Sequence, residues 1–290
     1  MSRIKEYLRP ANLEEALAML ARGAGRTAIL AGGTSLALQI PASVDTLLDI
    51  ADAGLDYITE KDGLVHIGAG VRVASLVRSD VCRKLYGGAL AEAAANIGST
   101  PLRNLITVGG ASFQVMPWSD LPGVLLAMDA AFLVKSTSGA ERMVPAQTLF
   151  ARQPRTVLSP SELLVEVQIP IPELAHLGAY QKVAKTRVDY AALTVTVTLL
   201  MRQDLVVDAR VVVGAAKALP TRLQQAEQVL VNQAPNRQLF VKAASIAAGA
   251  LEPVRDIRYS ALYKKHLTKI WVRRCLERAL KLNQGGTYAD

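Results

Sequence analysis

Two glycine-rich turns in this chain could bind the phosphates of a ligand. The first is AGGTSL at residues 31–36, and the second is TVGG at residues 107–110, which opens the segment 107–130. Consecutive backbone N–H groups in such turns form a concave nest that solvates phosphate oxygens without cationic side chains. Glycine permits the positive φ of the turn and a close approach to the ligand. Two turns of this kind suggest one large ligand whose diphosphate is bound by backbone from both sides.

Polar side chains accompany both turns. Thr34 and Ser35 add hydroxyl donors to the first turn, Thr107 adds one to the second, and Asp120 offers an acceptor for a ribose hydroxyl. Taken alone, AGGTS is a weak signal that an ordinary tight turn also explains, and Asp120 could be a helix N-cap before Leu121-Pro122. The two clusters together favour a dinucleotide, which we interpret as FAD.

The composition excludes several classes of protein. The 290 residues are 51% hydrophobic, so the chain can build a large core, and global disorder is not expected. Two cysteines and three scattered histidines argue against a zinc or iron–sulfur site made by this chain alone. No signal peptide or membrane span is expected, and the thiol content favours the cytoplasm. The net charge of +8 is spread out, which indicates an acidic partner or an anionic cofactor and no nucleic acid.

The pattern of the N-terminal half is typical of a small α/β unit. Asn12 followed by Glu15 resembles a capping box that opens a helix over residues 13–21. A strand is predicted directly before each glycine turn. The other predicted elements are strands at 46–50 and 64–69, a helix that begins near residue 74, and an alanine-rich helix at 84–97.

The second half begins with two predicted strands, 131–135 and 162–169. Pro170 and Pro172, with the following ELAHLG, predict a linker and a domain boundary. Beyond it, residues 193–199 alternate between apolar residues and threonine, which predicts a half-buried strand with an antiparallel partner at 206–213. The remaining segments predict helices at 221–231, 236–250 and 260–282.

The order of the motifs resembles a known family. AGGT-x-L is followed by R-N-x-x-T-V-G-G, by P-x-S-D-L-P-x-x-L-L-A-x-D-A, by YQKVAKTRVDYA and by DIRYSALYKKHL. This combination resembles the FAD-binding medium subunit of the molybdenum hydroxylases, the family of xanthine dehydrogenase and carbon monoxide dehydrogenase. The resemblance covers nearly the whole chain.

The resemblance also implies a fold and a domain organisation. The fold would be α+β, with the two-subdomain FAD-binding fold of the PCMH and vanillyl-alcohol-oxidase type. A C-terminal domain of antiparallel sheet plus helices would follow. We therefore expect an FAD-binding domain at 1–171, with subdomains of about 1–55 and 56–171, and a C-terminal flavoprotein domain at 172–290.

The same resemblance implies the contacts with FAD. Residues 31–36 would bind the pyrophosphate together with the second glycine turn, Asp120 would hold the adenosine ribose, and the backbone near Leu164 would contact the flavin or ribityl end. Lys182 would lie beside the isoalloxazine, where a positive charge stabilises a reduced, anionic flavin, and Tyr190 would shield the ring. The expected cofactor-binding residues are Ala31, Gly32, Gly33, Thr34, Ser35, Leu36, Thr107, Gly109, Gly110, Ala111, Asp120, Leu164, Lys182 and Tyr190.

Other interpretations of these residues stay open. Without the resemblance, Lys182 would be an exposed strand lysine, and a core tyrosine is as good an interpretation of Tyr190. Ala111 stands where the family usually has Asn, and losing that side-chain hydrogen bond, worth roughly 0.5–1.5 kcal/mol, should weaken FAD binding without abolishing it. Thr186 replaces a second basic residue before Arg187. Basic residues of the last helix form either a solvated face or an interface for an acidic partner: Lys264, Lys265, Lys269, Arg273, Arg274, Arg278 and Lys281.

The function implied by the resemblance is electron transfer. The chain would be an oxidoreductase subunit whose FAD takes electrons from the [2Fe–2S] clusters of a small subunit and passes them to NAD⁺, a quinone or another acceptor. A large molybdopterin subunit would oxidise the substrate, the assembly would be a dimer of heterotrimers, and no residue here would act as a catalytic acid, base or nucleophile. Two alternatives are a stand-alone flavin oxidoreductase and a flavin-free assembly subunit.

Overall fold

The computed structural model describes residues 4–23 and 25–283, with side chains up to residue 280. The strands are β1 Glu6–Leu8, β2 Thr27–Leu30, β3 Thr46–Asp49, β4 Ile58–Lys61, β5 Leu64–Gly68, β6 Ala131–Ser136, β7 Glu141–Pro145, β8 Glu162–Pro170, β9 Ala175–Val183, β10 Leu193–Arg202, β11 Leu205–Gly214 and β12 Thr221–Arg222. The helices are α1 Leu13–Arg22, α2 Val73–Arg78, α3 Asp80–Lys84, α4 Ala89–Ala95, α5 Thr100–Arg103, α6 Val108–Phe113, α7 Leu121–Ala127, α8 Ala146–Leu149, α9 Gln224–Leu230, α10 Arg237–Ala250 and α11 Ala261–Asn283. Residues 1–3, 24 and 284–290 of the predicted domains, and the side chain of Lys281, lie outside the described residues.

The chain forms two compact units, and each unit is built from several segments. The first unit comprises Met1–Ser75, Ser99–Val115 and Ala130–Ile169. The second comprises Leu76–Gly98, Met116–Asp129 and Pro170–Asp290. The division predicted at residue 171 stays a prediction.

The first unit contains a small parallel sheet and a larger sheet. The small sheet has the strand order β1-β3-β2, and helix α1 precedes β2. The Asn12 side chain accepts a hydrogen bond from Glu15 N at 2.8 Å, while the Glu15 carboxylate accepts one from Ala11 N at 2.7 Å. This reciprocal cap confirms the predicted start of α1, whose Ala16 and Leu20 are buried.

The larger sheet of the first unit has the strand order β4-β5-β8-β6-β7. Strand β8 lies in its centre and pairs antiparallel with β6. Alternate side chains such as Ile67, Phe132 and Val167 are fully buried and form one face of the core. The predicted strands 64–69, 131–135 and 162–169 are therefore confirmed, with β4 and β7 added at the edges.

The second unit is built on an antiparallel sheet of order β12-β11-β10-β9. On one face, Val195, Val197 and Leu199 of β10 pack into a core with Phe240 of α10 and Leu276 of α11. The threonine face of β10 is buried as well, because α7 covers it and Thr198 Oγ1 donates to Ala127 O at 2.9 Å. The predicted half-buried strand is thus wrong in one respect, since both faces of β10 are covered.

Three sequence-based predictions of elements are wrong. The predicted helix 84–97 becomes a helix only at Ala89, because Tyr86, Gly87 and Gly88 have φ values of 48°, 63° and 80°. The predicted helix 221–231 opens with the two residues of β12 before α9 begins. The predicted linker is partly strand, since β9 begins at Ala175.

In the described part of the chain, no helix combines the length and the apolar character that a membrane span requires. The same residues contain no group of three or more His, Cys, Asp or Glu side chains placed to hold a metal ion. Cys82 and Cys275 are buried free thiols.

Candidate functional site: glycine turns and a buried aspartate

The first glycine turn presents unused backbone donors. Residues 31–36 follow β2, Gly33 has φ +68°, and Ala37 N donates to Gly33 O at 3.0 Å to close the turn. Among the residues that the structure describes, no acceptor is found for the backbone N–H groups of residues 32–35 or for the hydroxyls of Thr34 and Ser35. Residues 31–36 are half-buried. Four adjacent N–H donors and two hydroxyls can satisfy the oxygens of a diphosphate.

The second glycine turn is organised differently from the prediction. No regular strand precedes it, and Thr107 forms an isolated bridge with Arg72 before it caps α6 by accepting from Gly110 N at 3.1 Å. Gly109 N donates to Ala69 O at 2.9 Å, so the donors of the glycine pair are used within the protein. A direct N–H contact from Gly109 or Gly110 to phosphate is therefore not available in this conformation. Their assignment as FAD contacts stays a prediction that depends on close approach at the exposed Gly110.

The first turn lies against the backbone that leads into the second. A Cβ atom on Gly32 would be 2.0 Å from Leu105 O and 3.3 Å from Ile106 Cα. Only glycine fits at position 32, because a real Cβ never comes so close to a backbone oxygen. A Cβ on Gly109 would likewise be 2.9 Å from Ala69 O. The glycines predicted from the sequence therefore bring the two turns together in one unit.

Two further predicted residues of the first unit occupy ordinary structural positions. Leu164 lies in the central strand β8, opposite Val134 and beside an irregularity in the pairing with β6. Its side chain is buried. Ala111 lies in α6, where its N–H donates to Thr107 O at 2.9 Å. Neither placement tests a contact with the cofactor, so both stay predictions.

Asp120 is a buried carboxylate of the second unit. Its Oδ1 accepts from the Tyr180 hydroxyl at 2.5 Å, and its Oδ2 lies 3.4 Å from Lys182 Nζ. Lys182 Nζ also donates to Asn96 O at 2.9 Å. Burial raises the pKa of Asp120 to about 6, and the Lys182 charge and the Tyr180 hydroxyl reduce this rise. Burial also raises the pKa of Tyr180 well above its ordinary value.

The contacts of Asp120 decide between the alternatives that the sequence left open. Asp120 occupies the N-cap position of α7, but its side chain makes no capping hydrogen bond. Lys182 is not an exposed strand lysine, because its side chain is only 5% exposed and pairs with Asp120. Contacts of Asp120 with a ribose and of Lys182 with the flavin ring stay predictions.

Tyr190 is an exposed aromatic residue of the second unit. It is 57% exposed, which excludes the core-tyrosine interpretation. Its ring stacks on Trp118 with centroids 4.5 Å apart and an angle of 28° between the planes. The Arg258 guanidinium lies 5.5 Å from the same ring. A stacked pair with one exposed ring, Tyr190, and one half-buried ring, Trp118, suits contact with a planar ligand.

Sequence reasoning missed three residues of these clusters: Tyr180, Trp118 and Arg258. Tyr180 had a usable signal, since it stands two residues before Lys182 and therefore shares one face of β9 with it. Arg258 lies within the DIRY motif, for which the sequence alone supplied no role. Trp118 lies between Pro117 and Ser119 without any periodic signal.

Comparison with known proteins identifies the family. Residues 2–172 match the family described as the FAD binding domain in molybdopterin dehydrogenase. Residues 178–279 match the carbon monoxide dehydrogenase flavoprotein C-terminal domain. The chain belongs to the FAD-binding subunits of the molybdopterin dehydrogenases.

Individual relatives agree over almost their full lengths. The carbon monoxide dehydrogenase medium chain of Afipia carboxidovorans is 30% identical over 94% of this chain and 96% of its own length. The 6-hydroxypseudooxynicotine dehydrogenase complex subunit alpha of Paenarthrobacter nicotinovorans is 32% identical over 95% of this chain and 94% of its own. A chain of the solved carbon monoxide dehydrogenase from Hydrogenophaga pseudoflava superposes with a TM-score of 0.88 at 29% identity, covering 96% of this chain and 98% of that one.

These similarities confirm the α+β FAD-binding fold and the oxidoreductase class that the sequence predicted. The chain is an FAD-binding medium subunit of the molybdenum hydroxylase family, and FAD is its cofactor. The first glycine turn fits this cofactor, because its free N–H groups and hydroxyls complement a diphosphate and position 32 excludes any side chain.

Proposed function

We propose that this FAD-binding medium subunit transfers electrons within a molybdenum hydroxylase complex. FAD, when bound, would take electrons from the [2Fe–2S] clusters of a small subunit and pass them to NAD⁺, a quinone or another carrier. The observation that carries the proposal is the set of open donors at residues 32–35, next to the second turn, in a chain of this family.

Different residues of this chain would bind different parts of FAD. Residues 31–36 would hold the diphosphate through backbone N–H groups, with the Thr34 and Ser35 hydroxyls as further donors. Thr107 and Gly109 would hold the second turn through their internal hydrogen bonds, and Gly110 would offer backbone without a side chain at its surface. Ala111 and the backbone near Leu164 would border it. Asp120 and Lys182 would fix the ribose and the ring environment electrostatically, and Tyr190 would cover the ring.

Partner subunits would supply the remaining chemistry. A large molybdopterin subunit would oxidise the substrate, and no residue of this chain would act as an acid, base or nucleophile on it. Two of the relatives are a medium chain and a complex subunit alpha, which supports membership of such an assembly. We further propose a dimer of heterotrimers in the cytoplasm, with this chain dividing into an FAD-binding domain at 1–171 and a C-terminal domain at 172–290.

Co-expression with candidate partner subunits, followed by metal and flavin analysis, tests the proposal. The purified complex should contain iron, molybdenum and FAD, and substrate addition should bleach the flavin absorbance band only when the iron–sulfur subunit is present. Turnover of a donor by the isolated chain would instead favour a stand-alone flavin oxidoreductase. Absence of a flavin band after addition of excess FAD would favour the flavin-free assembly subunit. That alternative is suggested by Ala111, which stands where the family usually has Asn.

A further inference from the structure

The DIRY motif, residues 256–259, connects the loop before α11 with the exposed loop 185–190 of the second unit. Arg258 Nη1 donates a hydrogen bond to Tyr190 O at 3.1 Å. The same guanidinium lies 5.5 Å from the Tyr190 ring and 5.6 Å from the Tyr259 ring. Arg258 therefore contacts both the backbone and the ring of Tyr190, although 68 positions separate the two residues.

The loop that carries Arg258 is held in place by hydrogen bonds to Asp256. Asp256 Oδ1 accepts the N–H groups of Arg258 and Tyr259 at 2.7 and 2.8 Å. Asp256 Oδ2 lies 2.9 Å from Lys264 Nζ, which also donates to Ala215 O at 2.9 Å. The Lys264 side chain is 3% exposed, so the loop is anchored to a buried ammonium group.

Tyr190 has weaker support from its own segment. Residues 185–190 are exposed and outside regular secondary structure. Among the described residues, the side chain of Tyr190 is otherwise supported by its stacking on Trp118. An exposed ring on an irregular loop normally samples several rotamers, and ordering it costs entropy.

We propose that Arg258 is a positioning residue, which holds Tyr190 against Trp118 so that the two rings form a rigid, exposed aromatic plate. Such a preorganised plate favours stacking of a planar heteroaromatic ring, because the Tyr190 ring is already ordered and loses little conformational entropy when the ligand binds. The consequence for flavin rests on the proposed function, in which Tyr190 covers the isoalloxazine. The contact among Arg258, Tyr190 and Trp118 itself does not depend on FAD.

The fluorescence of Trp118 in the flavin-free full chain tests the contact. A Trp271→Phe background leaves Trp118 as the one tryptophan, since the sequence contains two. Arg258→Ala removes the hydrogen bond to Tyr190 O and the cation–π contact with the Tyr190 ring, so the ratio of ordered to disordered Tyr190 should fall roughly tenfold. Acrylamide should then quench Trp118 more strongly. Arg255→Ala is the matched control, because Arg255 lies in the same loop, is exposed and, among the described residues, makes no hydrogen bond or cation–π contact with Tyr190.

A double substitution separates positioning from a general effect on folding. In a Tyr190→Ala background, Arg258→Ala should cause no further increase in quenching, because its effect passes through Tyr190. Arg258→Lys keeps the charge but loses the planar guanidinium, and it should move quenching in the same direction by a smaller amount. Equal quenching in the wild type and Arg258→Ala would overturn the proposal, as would an effect that persists without Tyr190.

The flavin-loaded protein distinguishes this inference from the proposed function. If Tyr190 covers the flavin, Tyr190→Ala should change the visible circular dichroism of the flavin band, and Arg258→Ala should change it in the same direction. Unchanged dichroism in Tyr190→Ala, together with the expected Trp118 quenching, would refute the flavin role and leave the positioning role of Arg258 intact.

Discussion

Because Gly33 has no side chain, it can adopt a positive φ, and the same conformation would direct backbone N–H groups towards the proposed ligand. Its φ is +68°, and a Cβ would meet Leu30 Cδ1 at 3.4 Å, an ordinary contact. Gly33→Ala should therefore cost about 1 kcal/mol of stability through strain. It should also weaken FAD binding roughly tenfold or more, because shifted N–H groups lose charge-assisted hydrogen bonds. Urea unfolding and a fluorescence titration with FAD measure the two effects.

Gly63→Ala is the matched control for this substitution. Gly63 has φ +73° in the turn between β4 and β5, with open space around its Cβ position. The same strain should lower the stability of this variant by a similar amount while leaving the affinity for FAD unchanged. Equal losses of affinity in both variants would mean that Gly33 acts through stability alone.

Asp120 gives a pH dependence of unusual sign for a carboxyl group. Its pKa is raised from 3.8 to about 6, chiefly by burial. Between these values the folded chain holds a proton that the unfolded chain releases, so the contribution of Asp120 to stability falls as the pH rises. The loss is at most about 3 kcal/mol. The stability of the wild type relative to Asp120→Asn should therefore decline from about pH 4 to about pH 7 in urea unfolding.

Glu162 provides the opposite case within the same chain. A hydrogen bond from Arg142 lowers its pKa to about 2, although partial burial opposes the shift. Its contribution to stability is present above the ordinary carboxyl pKa and is lost as the pH falls towards about 2. Glu162→Gln should therefore cost most at neutral pH and least in acid. Parallel profiles would contradict one of the two assignments: a shared rise with pH would refute that of Asp120, and a shared fall would refute that of Glu162.

At the scale of elements, local signals predicted the structure well and distant contacts did not show in the sequence. The predicted Asn12 cap and the predicted helix at 236–250 match α1 and α10, whose starts are each stabilised by an asparagine side chain that accepts an N–H three residues ahead. The start of α4 was missed, since positive φ at Tyr86 depends on packing and not on residue type. The Asp120–Tyr180 bond joins residues 60 positions apart, so periodicity could not indicate it.

Helix α11 shows how the same limitation affects charged residues. The sequence left open whether its basic residues form a solvated face or an interface, but several have partners within the chain. Arg278 Nη2 contacts Glu92 Oε2 at 2.6 Å, and its Nη1 donates to Tyr180 O at 3.1 Å. Lys264 is buried against Asp256, while Lys269 is exposed. Thus Arg278 joins α11 to α4 and β9.

Arg278→Met should consequently destabilise the chain more than Lys269→Met does. The first variant removes two hydrogen bonds and leaves Glu92, whose pKa burial already raises, without its cation. We expect a cost of about 1–3 kcal/mol for Arg278→Met and within about 0.5 kcal/mol for Lys269→Met. Both variants lose one positive charge from the same helix, so equal costs in urea unfolding would refute the structural role of Arg278.

At the scale of the whole molecule, family and fold follow from the order of motifs, but the geometry of binding does not. Both glycine turns were predicted, yet the structure gives them different roles: open donors at residues 32–35 and internally bonded donors at Gly109 and Gly110. Residue type cannot distinguish these cases, because glycine serves close packing and anion binding alike. The distinction predicts which part of FAD supplies the binding energy.

FAD should stabilise the whole chain by mass action, and its diphosphate should account for most of the effect. A ligand at a hundred times its Kd contributes about 2.7 kcal/mol, which raises the unfolding temperature by roughly 4–5 °C in a protein of this size. ADP carries the diphosphate without the flavin ring, so it should retain most of the shift, whereas riboflavin should give almost none. In Gly33→Ala, the shifts with FAD and ADP should shrink together. A riboflavin shift as large as that of FAD would place the dominant contacts at the ring and refute diphosphate binding by the first turn.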